Sequence, residues 1–168
     1  MGNGAVELYH PPMILAEADQ SERVTSHSDE LKVTIGTSSM SFAEITQVSF
    51  ERPLQVWFYT VGHSQLLLRS NRSGELETRV DVLFKGVKAI QLPTVLPGLR
   101  MVKASRPAAL ETSRKLGVQL RDDEHVFILE GANYVGFVIG LVAFAHEDEG
   151  HHNDPTFLAN SFLPGRQP

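Results

Sequence analysis

Between residues 31 and 145, apolar and β-branched residues come in short runs of roughly four to eight, each cut off by glycine, proline or a polar turn. That spacing constrains the fold more than any other feature of the chain. Leu31-Lys32-Val33-Thr34-Ile35 alternates and stops at Gly36. Ile45 to Phe50 stops before Pro53, and Gln55 to Val61 is almost wholly β-branched and aromatic. Gln65 to Ser70 follows and ends in the turn-forming Asn71-Arg72-Ser73-Gly74. Glu77 to Phe84 is the clearest amphipathic strand: Val80, Val82 and Phe84 share one face, Arg79, Asp81 and Leu83 the other. Lys85-Gly86 is a turn or bulge, Val87 to Leu92 ends at Pro93, and Leu99 to Ala104 follows Pro97-Gly98. His125 to Glu130 and Tyr134 to Ala145 close the series, joined by Gly131-Ala132-Asn133, a link that suits a hairpin with a residue at positive φ.

One helix interrupts this pattern. Ser105 is placed to cap it, Pro107 falls in the first turn, Ala108 to Leu116 are good helix formers, and Gly117 stands where a left-handed stop is wanted. It is short and is expected to pack across a sheet edge or mouth. The strand-helix alternation of a parallel sheet is absent. The fold class is therefore mainly β, an antiparallel β-sandwich or partly open barrel of about eight or nine strands with one short helix near 106–116. The run 134–145 holds Gly136 and Gly140 four apart, as in a packed helix. Its Val, Ile, Phe and Tyr content favours a strand.

Residues 1–30 carry six acids and one base, which accounts for the whole formal net charge of -5. They read as an acidic flexible leader with one apolar cluster, Met13-Ile14-Leu15-Ala16, and room for a short helix at 13–20. Residues 31–149 read as a single β-rich domain. Residues 150–168 read as an irregular tail that Phe157, Leu158, Phe162 and Leu163 would pin to the body. Within the neutral body, Arg100 to Lys115 holds five bases and one acid. It lacks the interleaved aromatics on which nucleic-acid bases stack, so nucleic acid is not the expected partner. No signal-like or bilayer-length apolar segment is found, so no membrane partner is expected and the expected location is the cytoplasm. The absence of cysteine removes disulfides, thiol nucleophiles and thiolate metal sites.

Three groups of residues carry candidate chemistry. His146-Glu147-Asp148-Glu149-Gly150-His151-His152-Asn153-Asp154 puts three imidazoles and four carboxylates in nine residues. Such groups bind Zn²⁺, Mn²⁺, Ni²⁺ or Fe²⁺ when they converge. His146, His151, His152 and Asp154 are the candidate ligands. The spacing is one residue too long for two histidines on one helical face, as zincin chemistry requires. A strand-end site in a metal-dependent, cupin-like β-barrel enzyme is the reading they would support, with a solvated acidic loop as its competitor. A divalent metal is the one cofactor the sequence leaves room for; no other is expected. The second group, Gly62-His63-Ser64, is half of a hydrolase elbow without its last glycine, and the following strand denies it the required helix. Ser64 would need a distant base such as His125, backed by Asp81.

The third group is a mixed-charge surface of Arg69, Arg72, Arg79, Asp81, Lys85 and Lys88 beside Trp57 and Tyr59. Strict alternation would put Trp57, Tyr59 and Val61 on one face, an aromatic strip suited to binding. Trp57, Tyr59, Arg69 and Arg79 are the candidate binding residues, for a protein partner or self-association. The reading that best fits the whole sequence is a non-enzymatic β-rich binding or interaction module.

Overall fold

The computed structural model describes residues 44–160. The leader, the strand expected at 31–35, the helix at 13–20 and the contacts of Phe162 and Leu163 lie outside the described residues. In chain order the strands are β1 (Gln47–Phe50), β2 (Leu54–Thr60), β3 (Gln65–Ser70), β4 (Arg79–Lys85), β5 (Ala89–Gln91), β6 (Val95–Leu96) and β7 (Leu99–Lys103), then helix α1 (Arg106–Leu116), then β8 (His125–Gly131), β9 (Tyr134–Gly140) and β10 (Val142–Asp148). A 3-10 turn spans Phe157–Asn160. The strands form two antiparallel five-stranded sheets, ordered β1-β7-β8-β9-β5 and β10-β4-β3-β2-β6. The protein is a β-sandwich, and among the described residues no closed barrel forms.

Alternation places the core. From the second sheet, Leu66, Leu68, Val80, Val82 and Phe84 point inward; from the first, Met101, Phe127, Leu129 and Val138 meet them. The Phe84 and Phe127 rings cross edge to face at 5.5 Å, a favoured aromatic geometry. Each such side chain stabilises the fold by roughly 1.5–3 kcal/mol when removed from water.

Four features differ from the sequence expectation. The run 134–145 is two strands: β9 ends at Gly140 and β10 starts at Val142 in the other sheet, so the chain switches sheets at Leu141. Two consecutive buried strands leave no polar punctuation between them, which is why they read as one. The two-residue link Ala132-Asn133 needs no positive φ. Gly131 is required instead because a Cβ there would lie 2.2 Å from the Tyr134 ring. That ring's hydroxyl donates to the Gly98 carbonyl at 2.7 Å. The two-residue β6 was not expected at all. And α1 does not sit at an edge: Ala109 packs with Val126 and Ile139 on the outer face of the first sheet. Its ends are as the sequence implied, with Pro107 in the first turn and Gly117 at φ 65 closing the last, although the Ser105 side chain makes no capping hydrogen bond.

Candidate functional site

The outer face of the second sheet gathers most of the candidate residues, and strand register decides which of them meet. Gln55 stands opposite Arg69, Arg69 opposite Asp81, and Asp81 opposite His146. One polar row therefore crosses the sheet. Two residues along, Phe58, Leu67, Leu83 and Phe144 form an apolar row; in the other direction Arg79 stands opposite Asp148.

These charges do not face solvent. Arg69 is 1% exposed, Arg79 2% and Asp81 1%. This corrects the expected mixed-charge surface for Arg69, Arg79, Asp81 and Lys85, which are buried, while Arg72 and Lys88 are exposed. Arg69 grips Asp81 with two parallel bonds, Nε to Oδ1 at 2.7 Å and Nη2 to Oδ2 at 2.8 Å. Arg79 grips Asp148 likewise at 2.9 and 2.6 Å, with Asp81 at 4.0 Å. The remaining guanidinium hydrogens hold residues 149–158, which turn back after β10 as a strap. Arg69 Nη1 donates to the carbonyls of His152 at 2.7 Å and Asp154 at 3.1 Å. Arg79 Nη1 donates to those of His151 at 2.8 Å and Asp154 at 2.9 Å. Trp57 lies 5.1 Å from the Arg69 guanidinium, which packs over its ring. Leu158 ends the strap in the apolar row.

Planar five-donor guanidinium suits this work, because one fork can satisfy a carboxylate while its remaining donors take main-chain carbonyls. Burial pushes the Asp148 carboxyl up, but the Arg79 bonds, the Gly150 N–H and the Arg79 charge outweigh it and hold the group below the usual range. Burial likewise opposes the Arg79 charge, and the carboxylates of Asp148, Asp81 and Asp154 more than restore it. Gly150 is needed at the strap's start, since a Cβ there would lie 2.7 Å from Arg79 Nη2.

The four candidate metal ligands, His146 on β10 and His151, His152 and Asp154 in the strap, have different roles. The His146 ring stacks on Phe157 at 4.6 Å and its Nε2 is 3.7 Å from Asp148. His151 and His152 offer their carbonyls inward while the residues themselves are exposed. Asp154 folds back on its own loop, Oδ2 accepting from the His151 N–H at 2.8 Å. Among the described residues no group of three His, Asp or Glu side chains is placed to hold a metal ion.

Ser64 sits at φ 49 in the tight turn between β2 and β3, and its carbonyl accepts from the Val87 N–H at 2.8 Å. Among the described residues no hydrogen bond links Ser64 to a histidine, and Asp81 is engaged by Arg69. Four bases of the 100–115 stretch are paired with acids: Arg100 with Glu130, Lys103 with Glu44, Arg106 with Asp122 and Lys115 with Glu111.

The aromatic strip is rearranged by a bulge. Between Val56 and Phe58 the register with β3 shifts, so Trp57 and Phe58 both pack toward the outer apolar row, while Tyr59 falls opposite Leu66 on the inner side. Alternation therefore fails at Trp57, and the expected shared face of Trp57 and Tyr59 does not form. What the bulge leaves is an open edge. Beyond Leu54 and Gln55, which pair with β6, and Val56, whose N–H donates to the Thr94 carbonyl at 2.9 Å, no described strand pairs with the outward side of β2. Tyr59 is 44% and Val61 78% exposed there, with Val95 of β6 at 58%. A recess of about 180 Å³ lies at the near end of that edge, bounded by Gln55, Asn71, Leu76 and Val95 with Arg69 behind. Sequence reasoning missed it because β6 and the 70–76 turn, which wall it, carry no chemical motif.

Among the described residues the architecture is a two-sheet sandwich with one helix-covered face, one arginine-clamped face and an edge at β2 that β6 covers only in part. Comparison with family models, curated proteins and solved structures finds no match to the chain.

Proposed function

We propose that the protein is a non-enzymatic binding module that takes an extended segment of a protein partner along the open edge of β2. The observation that supports this reading is the stretch Trp57-Phe58-Tyr59-Thr60-Val61, uncharged, half-exposed and, among the described residues, without a strand paired to its outward side. Free strand edges template the addition of another strand, and proteins that avoid such addition blunt them with lysine, proline or inward charges. Between Trp57 and Val61 this edge carries no lysine, proline or charge, and the bulge at Trp57 is its one such device. Main-chain pairing would supply affinity, and Tyr59 and Val61 would supply contact area.

The test is selection from a random peptide display library against the whole protein, followed by Tyr59→Lys and Val61→Lys. Both positions are exposed, so melting temperature should hold while peptide binding is lost. Amide exchange should slow at 57–61 in the bound state. Failure to select any peptide, or protection confined to another region, would sink the proposal. Concentration-dependent dimerisation abolished by the same variants would identify the added strand as a second copy's β2.

A further inference from the structure

We infer that the binding surface at β2 extends across the side of the sandwich to β5, and that it selects an uncharged partner segment that turns one large apolar side chain in between the two sheets. The inference rests on the edge-binding reading and adds the chemistry of the segment bound.

Register sets the geometry. β5 ends the first sheet, and residues 92–94 carry the chain from it to β6 at the end of the second, so these two margins lie on one side of the molecule. Ile90 stands opposite Val138 and Tyr59 opposite Leu66, and both of those partners are buried in the core between the sheets. Directly opposed residues share a face of the sheet, so Ile90 and Tyr59 are inward-facing positions. Inward positions of a sandwich are ordinarily buried, yet Ile90 is 38% and Tyr59 44% exposed. The reason is local. Among the described residues no strand lies beyond β5, and β6 stops short of Tyr59. The opposite side of the sandwich is better closed, because Ile45 packs against the core there and its N–H donates to the Ala143 carbonyl of β10 at 2.9 Å.

Charge names the occupant. Residues 53–68 and 89–99, which include β2, β5, β6 and the turns beside them, contain no Asp, Glu, Lys or Arg in a chain that is 21% charged. Among the described residues, Tyr59, Val61, Ile90 and Val95 are half of the eight large apolar residues that stand exposed, and all four fall in these two stretches. A charged segment laid here would lose hydration and find no counter-charge in either stretch. A neutral apolar segment loses little and takes exposed apolar surface out of water. The side chains of an added strand alternate. The residue paired with Tyr59 therefore points inward, toward the margin that Ile90 lines, and its two neighbours point outward.

The experiment uses the peptides selected against the whole protein. One fixed position should be enriched in leucine, isoleucine, valine or an aromatic residue, without charge beside it. Aspartate or lysine at that position should weaken binding about tenfold or more. Ile90→Lys, on the other sheet from the paired edge, should weaken binding by a similar factor at unchanged melting temperature. Ile90→Ala is the milder variant and decides the matter where lysine disturbs the fold. It should couple to alanine at the fixed peptide position, the double loss falling short of the sum of the single ones. The protein has no cysteine, so a single thiol can be placed cleanly. A peptide with cysteine at the fixed position should form a disulfide with Ile90→Cys and not with Gln91→Cys, whose partner Phe137 packs on the outer face. If peptides bind the edge but tolerate charge at every position, or ignore the Ile90 variants, the inference is overturned and the edge reading stands. A dimer of the free protein that Ile90→Lys dissociates would put a second copy in place of the partner segment and overturn it too. If no peptide binds the edge, both readings fall.

Discussion

The two outer faces of the sandwich are covered by opposite means. On the first sheet, α1 lays Ala109 against Val126 and Ile139, and the join is almost wholly apolar. On the second, an irregular strap is held by Arg69 and Arg79 through its carbonyls before Leu158 reaches an apolar row. A helix satisfies its own backbone and needs only a small, smooth contact surface. A strap has no internal ladder, so the face beneath must supply the donors. The charged residues of β3 and β4 are that supply.

The comparison can be broken most forcefully at Arg69. Arg69→Ala would leave the buried Asp81 with only the Arg79 guanidinium, 4.0 Å away, to offset its charge, and should cost roughly 3–5 kcal/mol in urea unfolding. Arg69→Met with Asp81→Leu should recover much of that loss in the unfolding midpoint while the strap, deprived of its donors, becomes accessible to protease. A double variant no more stable than the single would refute the account of the pair. On the helical face, Ile139→Ala should cost roughly 2–5 kcal/mol as a core cavity. It should leave strap proteolysis unchanged. Acid offers a finer probe. The Asp148 carboxyl is lowered in the folded protein, so its contribution is complete above the ordinary carboxylate range and is lost as pH falls through its lower folded value. Native-state exchange at 149–156 should therefore accelerate at acid pH before that of β8, and equal protection throughout would count against the clamp. The smallest expected effect is Ser105→Ala. Because that side chain makes no capping bond, thermal unfolding should move by less than the roughly 0.5–2 kcal/mol of a working N-cap.

Much of this architecture is legible in the chain itself. The alternation of Val80, Val82 and Phe84 gives β4 its core face, and Pro107 with Gly117 brackets α1. What stays hidden is hidden for physical reasons. Arg69, Arg79 and Asp81 occupy outward positions on strands, where charge ordinarily means solvent. Their cover arrives from residues some seventy to eighty-five positions later. The His-rich segment advertises side-chain donors, yet it is held through carbonyls, which every residue has and no sequence pattern marks. The bulge at Trp57 sits in a run where each neighbour is an equally good strand former, so nothing local selects the residue that slips.

The distance between clamp and strap also orders events at the ribosome. Chains emerge N-terminus first, so β3 and β4 are made well before residues 148–155, and Arg79 waits 69 positions for Asp148. During that interval the outward side of the young hairpin shows Arg69, Arg79 and Asp81 beside the apolar pair Leu67 and Leu83. Charges flanking an unfinished hydrophobic strand act as gatekeepers against aggregation. The groups that later lock the last segment in place thus serve first to keep the incomplete sheet from sticking to its neighbours.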